Sequence, residues 1–457
     1  MDSSRTVQLV ATLFLYFAVL PSVLAAETAA KHRLETEHAV GELTRVEVAF
    51  QVGGDLKLVI DGQEKSLPMS VVANLKYDEQ VLRLGDGGRP NRSVRYYDDT
   101  RAVIKVDQGG EKPTLDPRRR LIAVDKPAKG SPVLYCPAAP LLREELDLID
   151  VPGGSLLIDE LLPATPVALG ESWKLTDESL ASLLCLDAVS WSDVSCVLGE
   201  ITNGVGEVAA AGSVNGAVGG ISTEIELKAK FRFEFNTKRL SYLALLIKET
   251  RAVGHVGPGL DTVAKLIMSV KPIETSQYLT PQRVATVPES PLPGHAELAY
   301  QAASGQFHFL HDRRWHLTSD DDKLTILRYL DRGELVAQCN ISLLPGVKES
   351  PTTLAEFQRD IQKSLGKSFG QFTNASQSQS EAGYHVLRAT AHGIVAELPI
   401  EWVYYLIQDS DGKRVTLAFT YEQDLAERFA QADRLLAAQV RLTQPPAPTA
   451  AKPVKQQ

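Results

Sequence analysis

Cysteine is scarce. The 457 residues contain four, at positions 136, 185, 196 and 339, and no two stand in a C-x-x-C arrangement. A thioredoxin-like redox pair and a zinc ribbon therefore have no support. Basic charge is also short: 48 Lys and Arg stand against 57 Asp and Glu, a formal net charge of −9. That balance opposes a surface built to neutralise phosphates, so no nucleic-acid partner is expected. The one compact basic run, Asp116 to Arg120, reads as a solvated turn before a strand. Long apolar runs are missing beyond the N-terminus. No later segment approaches the roughly 20 apolar residues that a membrane-spanning helix needs, so no transmembrane span is expected after removal of a leader.

What is present is an ordinary globular composition, 44% hydrophobic and 23% charged, in a chain long enough for two or three compact units. The first residues form a leader pattern. Arg5 supplies a positive start, Val10 to Leu20 an apolar core, and PSVLAAE small residues around Ala25 and Ala26. Residues 1–25 are expected to be a signal peptide that sends the protein to the periplasm or the extracellular space. No cysteine at the cleavage point offers a thioether lipid anchor. In an oxidising compartment a Cys185–Cys196 bridge would stabilise by about 3 kcal/mol. The alternative is four small buried hydrophobes, and spacing alone leaves both open.

After the leader the chain is strand-rich. LTRVEVAFQV, DLKLVIDG, MSVVANLKYDEQVLRL, YYDDTRAVIKVD and RRLIAVDK alternate apolar and polar residues between Gly-Gly and Asp-Gly turns. Two helices interrupt. Leu141 to Ile149 has helical spacing, and LTDESLASLLCLDAV offers Thr176 or Asp177 as cap with Leu180, Leu183, Leu184 and Ala188 as its apolar face. In STEIELKAKFRFEF, Ile225, Leu227, Ala229, Phe231, Phe233 and Phe235 share one face of a strand and charged residues take the other. Such a sheet needs a cover on its apolar side, and the two helices are the candidates. Residues 27–275 are expected to form one β-rich antiparallel domain, with a split near Val151 as the alternative. Residues 276–303, with Pro281, Pro288, Pro291 and Pro293, read as a linker. A second unit is expected over 304–442, and the Pro- and Ala-rich 443–457 as a disordered tail.

In the second unit, FHFL, KLTILRYL and ELVAQCNISLL read as strands. A helix follows with a capping box of Thr353 and Glu356 and a stripe of Leu354, Phe357, Ile361 and Leu365. GYHVLRAT, EWVYYLIQ and RVTLAFTY are further strands, the last two joined by an Asp-Ser-Asp-Gly turn. A final helix starts at Asp424, with Glu427 completing a second box and Leu425, Phe429, Ala432 and Leu436 facing inward. This order, from RRWHL through SPTTLAEF to the closing VRL, resembles the PsbP-like fold of the extrinsic photosystem protein and of exported DcrB-type lipoproteins. The resemblance implies an α/β sandwich that presents surfaces to partners, and it brings no catalytic residue. The N-terminal region looks like uncharacterised exported bacterial proteins. Together these readings give an α+β protein, with a helix-covered β-rich domain followed by a PsbP-like sandwich.

Candidate site motifs each meet an obstacle. FHFLHDRRWHL, residues 307–317, is rich in histidine, but in a strand His308 and His311 point to opposite faces and cannot share a metal ion. Were it helical, His308, His311 and Asp312 would converge. Trp315 reads as a core plug. Gly366 to Gly370, GKSFG, matches a nucleophile elbow around Ser368, yet an elbow needs a strand before the serine and a helix after it. Gly204 to Ala209 fits G-x-G-x-x-A without the helix a dinucleotide requires, and Asn203-Gly204 and Asn215-Gly216 read as hairpin turns. Asp98-Asp99 and Asp320 to Asp322 read as solvated loops. Asn91, Asn340 and Asn374 begin glycosylation sequons.

No catalytic, cofactor-binding or metal-binding residue is therefore assigned. The expected function is a non-enzymatic exported envelope protein acting through protein contacts, with an unidentified envelope partner. The alternative is a carrier of an apolar or lipid ligand in the N-terminal β domain. A hydrolase using Ser368 and a histidine is the third reading.

Overall fold

The computed structural model describes residues 30–443 apart from 61, 128–129, 255–256 and 348–350. The expected signal peptide and all but the first residue of the expected tail lie outside the described residues. Strands take 55% of the described residues and helices 14%. The fold class is thus β-rich, built on large antiparallel sheets, and the expected α+β description with helix-covered layers is corrected. The physical reason is length: the two helices expected to cover the first sheet have seven residues each, far too few to roof thirteen strands.

Seven long strands form the body of that sheet: β1 (Leu43–Ile60), β2 (Gln63–Leu84), β3 (Pro90–Val106), β4 (Val205–Val218), β5 (Ile221–Glu234), β6 (Arg239–Arg251) and β7 (Gly259–Pro272). Their order is β4-β5-β6-β7-β1-β2-β3, antiparallel throughout, with shorter strands at both ends. The period-two pattern sets the faces. Ile225, Leu227, Ala229, Phe231 and Phe233 of β5 are buried while Glu224, Lys228 and Arg232 are exposed.

One core joins the inner face of this sheet to α1 (Arg143–Ile149), α2 (Asp177–Leu183) and the 3-10 turn Ile158–Leu161. Irregular chain between those helices completes the cover. The Thr176 hydroxyl caps α2 by accepting the Ser179 N–H at 3.1 Å. The helix is shorter than its sequence pattern predicts: Ala188 lies in the strand Ala188–Ser192 and is exposed. At the start of α1 the buried Glu145 accepts the Leu142 N–H at 3.0 Å, the Asp116 N–H at 3.1 Å and Arg119 Nη1 at 3.1 Å.

Asn203 and Gly204, with φ of 53° and 78°, make the predicted hairpin turn. Asn215-Gly216 does not: both lie inside β4, and the turn falls at Gly219-Gly220. Gly216 is there for clearance, since a Cβ would stand 2.6 Å from the Ala188 carbonyl.

The chain from Pro272 to Leu298 lies against β3. Tyr278 stacks on Tyr96 at 4.7 Å, Arg283 sits over the Tyr96 ring, and Arg92 donates to the Pro288 and Glu289 carbonyls. A small sheet then joins the two halves. Leu141–Leu142 pairs in parallel with Leu298–Gln301, which pairs with β8 (Phe307–His311), which pairs with Arg441–Leu442.

The second large sheet has seven antiparallel strands: β9 (Trp315–Asp320), β10 (Leu324–Asp331), β11 (Glu334–Leu344), β12 (Phe369–Gln379), β13 (His385–Val395), β14 (Leu398–Gln408) and β15 (Arg414–Glu422), in the order β9-β10-β11-β15-β14-β13-β12. Helix α3 (Leu354–Leu365) has both arms of its predicted capping box: Thr353 Oγ1 accepts the Glu356 N–H at 3.3 Å and Glu356 Oε2 accepts the Thr353 N–H at 3.0 Å. Phe357 and Ile361 bury against Leu387, Ala389 and Leu406. The closing helix departs from expectation. It breaks at Ala430, whose φ is 50°, so that Ala426–Phe429 and α4 (Ala432–Gln439) are separate pieces. The break seats Phe429 among Trp315, Tyr329, Phe419 and Tyr421.

Candidate functional site

The inner face of the first sheet, the ends of α1 and α2, and β9 of the second sheet enclose a cavity of about 1000 Å³. Each wall follows from the local sequence. Val48, Leu75 and Met268 are inward residues of β1, β2 and β7 and make an apolar floor. Tyr77 and Tyr97, alternate residues of β2 and β3, stand at its edge with ring centroids 4.7 Å apart. Leu317 of β9 is solvent-exposed in the fold and faces this space.

The polar wall is charged. Arg95 on β3 is buried and committed: its Nε donates to Glu79 Oε1 at 2.8 Å and its Nη2 to Ser155 Oγ at 3.0 Å. Ser155 Oγ also meets the Tyr77 hydroxyl at 3.0 Å. The Tyr97 hydroxyl, by contrast, is buried with no hydrogen-bond partner among the described residues. Arg95 lies beside it but outside bonding geometry, and burial pushes the Tyr97 phenol up. It keeps its proton.

Asp147 and Asp150, three residues apart on α1 and its C-cap, both face the cavity. Asp147 is 63% exposed by its side chain and stays in contact with water. The surrounding chain, opposed by Arg143 and reinforced by Asp150 and Glu144, pushes its carboxyl up, a shift that its contact with water screens. The surrounding chain likewise raises Asp150, itself an exposed residue, against the pull of Arg313, Arg95 and Arg143. Arg143 Nη1 is 3.6 Å from Asp147 Oδ1, and Arg143 Nη2 donates to His316 Nδ1 at 3.2 Å. Burial, then Arg143 and His311, holds His316 down at about 4, so it is a neutral acceptor. Cys185, with φ of 56°, exposes its thiol to the cavity, and enclosure raises it far above the usual thiol range.

The residues singled out by sequence are dispersed. His308 and His311 lie on opposite faces of β8; His311 is buried, lines the cavity and donates through Nδ1 to the Asp312 carbonyl at 2.9 Å. Burial lowers its pKa. Asp312 instead holds Arg314, Nη2 to Oδ2 at 2.9 Å. Ser368 sits in the 3-10 turn Gly366–Ser368 between α3 and β12. Trp315 is buried in the second core. Asp98 pairs with Arg45 at 2.7 Å and Asp320 accepts the Ala303 N–H. The four cysteines are free, so the 185–196 bridge is not formed. Among the described residues no group of three or more His, Cys, Asp and Glu is placed to hold a metal ion, and no helix is long and apolar enough to cross a membrane. Sequence reasoning missed Tyr97, Arg143, Asp147, Asp150 and His316. The one available signal was the pair of aspartates at helical spacing at the end of a short apolar helix.

Comparison with known proteins adds little. No family model matches the chain, and no curated protein does. Among solved structures the chain is similar to cyanobacterial PsbP from Synechocystis, at 14% identity and a TM-score of 0.27, over 32% of this chain and 92% of that one. It is also similar to the Ran-binding protein Mog1p of Saccharomyces cerevisiae, at 9% identity and a TM-score of 0.26, over 32% of this chain and 95% of that one. Likenesses at these scores carry no argument about what this chain does.

Proposed function

We propose that the protein is a non-enzymatic binding protein of an extracytoplasmic compartment that carries a small amphiphilic ligand in the cavity between its two sheets. The observation that carries this reading is the cavity: its volume of about 1000 Å³ is at the upper end of the ordinary range for ligand pockets, about 300–1,000 Å³. An apolar floor and a charged wall meet within it, which suits a molecule with an apolar body and a polar head. Binding of the neutral dye N-phenyl-1-naphthylamine to the purified protein tests it. The expected result is saturable fluorescence enhancement, abolished by Leu317→Trp and Val218→Trp, which fill the space from opposite walls. A dye that does not bind, together with no small molecule in native mass spectra of freshly isolated protein, overturns the reading.

The protein-contact reading has one specific observation behind it. β12, an eleven-residue edge strand, carries no charged residue and no proline, the features that usually block a sheet edge. An extended segment of an envelope partner would add there as a further strand. A photocrosslinker at Gln377 is expected to capture one partner in intact cells more efficiently than one at Lys265 on the outer face of the first sheet. Equal labelling at both positions removes this reading.

A further inference from the structure

We propose that the outer face of the first sheet docks an acidic segment of a partner protein, whose carboxylates meet Lys228, Lys230 and Lys265 and whose apolar side chains cover Leu246, Val72 and Val103. The cavity lies behind the inner face of that sheet, and the β12 edge belongs to the other sheet. The surface therefore calls for an occupant of its own.

The pairing register lays it out. Lys228, Leu246, Lys265, Gln51, Val72 and Val103 stand side by side across β5, β6, β7, β1, β2 and β3. Lys230, Ala244, Ile267, Ala49, Asn74 and Arg101 form the next row on the same face. Neither row contains a carboxylate. The row on the opposite flank holds one, Glu226, and also contributes Val263 and Lys105. On this face Lys76 pairs with Glu47, Arg101 with Asp99, Arg232 with Glu207 and Lys248 with Glu226. Among the described residues no ion pair takes in Lys105, Lys228, Lys230 or Lys265, all of them exposed. Unneutralised cations thus gather on one face of a chain whose formal net charge is −9. Apolar groups stand among them: Val72, Val103, Leu246 and Val263 are between 36% and 48% exposed, and Val72 lies directly opposite Val103. A covering partner would release the water that these side chains order.

Shape and charge select the occupant. The two carboxylate-free rows lie about 7 Å apart and run about 24 Å, five spacings of about 4.8 Å between six strands. They make a narrow strip. Beyond the Glu226 row, Glu224, Asp261 and Asp55 share a further row and are exposed. An anionic bilayer is too wide for the strip and would press on those carboxylates as well, where it is repelled. A second copy laid along the same strip would set lysines against lysines. A polyanion without apolar groups would leave the valines and Leu246 in water. An acidic peptide segment follows the strip alone, answers both the lysines and the apolar groups, and has its register fixed by the complementary charge.

The test is fluorescence anisotropy of the purified protein with a labelled peptide of about eight residues in Glu-Glu-Leu-Leu repeats, long enough when extended to span the strip and presenting both residue types on each face. Saturable binding is expected, at least about fivefold tighter than that of a Glu-Glu-Ser-Ser peptide of equal charge. Lys228→Glu/Lys265→Glu is expected to weaken it at least about tenfold. Lys363→Glu/Lys367→Glu makes the same change of charge at exposed positions in and after α3 and is expected to leave it within about twofold. Leu246→Gln/Val72→Thr, which changes no charge, is expected to weaken it about three- to tenfold. Should the lysine double variant misfold, Lys265→Gln alone is read by the same criterion. Absence of peptide binding overturns the proposal, whether or not phosphatidylglycerol vesicles bind instead and make the face a membrane surface. Binding that survives the lysine variants, or that is equal for the Ser peptide and indifferent to Leu246→Gln/Val72→Thr, overturns it too. So does a dimer in sedimentation that Lys228→Glu/Lys265→Glu dissolves, which would make the face a contact between copies. The dye titration of the cavity does not involve this face, so each outcome leaves that reading where it stood.

Discussion

His38 shows how a single side chain couples stability to pH. Its Nε2 lies 2.7 Å from Asp159 Oδ2, and its Nδ1 lies 3.4 Å from Glu42 Oε2 without hydrogen-bond geometry. Burial opposes its charge, but the two carboxylates prevail and raise its pKa to about 9. The folded state therefore holds a proton that the unfolded chain releases near 6.5. The stabilisation is complete below pH 6.5 and is lost as pH rises towards 9, up to about 3 kcal/mol. Urea titrations at pH 6 and pH 9.5 are expected to show that fall, and His38→Gln to flatten it. Asp147 has the same sign at lower pH. Because its folded pKa stands above the ordinary 3.8, stability is expected to decline slightly as pH rises from about 4, a shallow slope, since water screens this exposed side chain, that Asp147→Asn removes. Neither group was legible in the sequence. His38 and Asp159 stand 121 positions apart, and only the packed chain decides that they touch.

Elements were readable where their determinants are local. The α3 capping box and stripe sit within one thirteen-residue window, Thr353 to Leu365, and the alternation of β5 is its own instruction, because the pleat turns successive side chains to opposite faces. The class assignment failed for the converse reason. Nothing local tells how much of a sheet two short helices can cover. The break at Ala430 is similar: a left-handed alanine is held there by the aromatic cluster around Phe429, whose members come from β9, β10 and β15. Beside that break, buried Asp433 of α4 accepts from Arg388 Nη2 at 2.9 Å and from the Tyr405 hydroxyl at 2.7 Å. Asp433→Ala leaves a part-buried guanidinium without its carboxylate and is expected to destabilise by about 1–3 kcal/mol. Leu435→Ala, at an exposed position of the same helix, is expected to change stability by less than about 0.5 kcal/mol. Equal effects of the two in urea denaturation would show that the network does not anchor α4.

At the scale of the whole molecule the two halves meet through the small joining sheet, through Arg143 with His316 and Arg313 with the Leu134 carbonyl, and through a contact of two turns. Gly220, with φ of 74°, lies so close to the Gly333 carbonyl that a Cβ there would stand 1.8 Å from the oxygen. Gly220→Ala is expected to separate these turns and lower stability by about 1–3 kcal/mol. An unchanged urea midpoint would mean that the turn contact adds nothing to stability. The sequence by itself determined the strands, the caps and the division of polar from apolar faces, because each depends on neighbours within a few residues. It did not determine the cavity. Tyr97, Asp147, Cys185 and His316 come from four separate stretches of chain, and each looks ordinary in its own. Only the packing of one sheet against the other brings them to the lining of one cavity, because contacts between distant stretches of chain are decided by the whole fold.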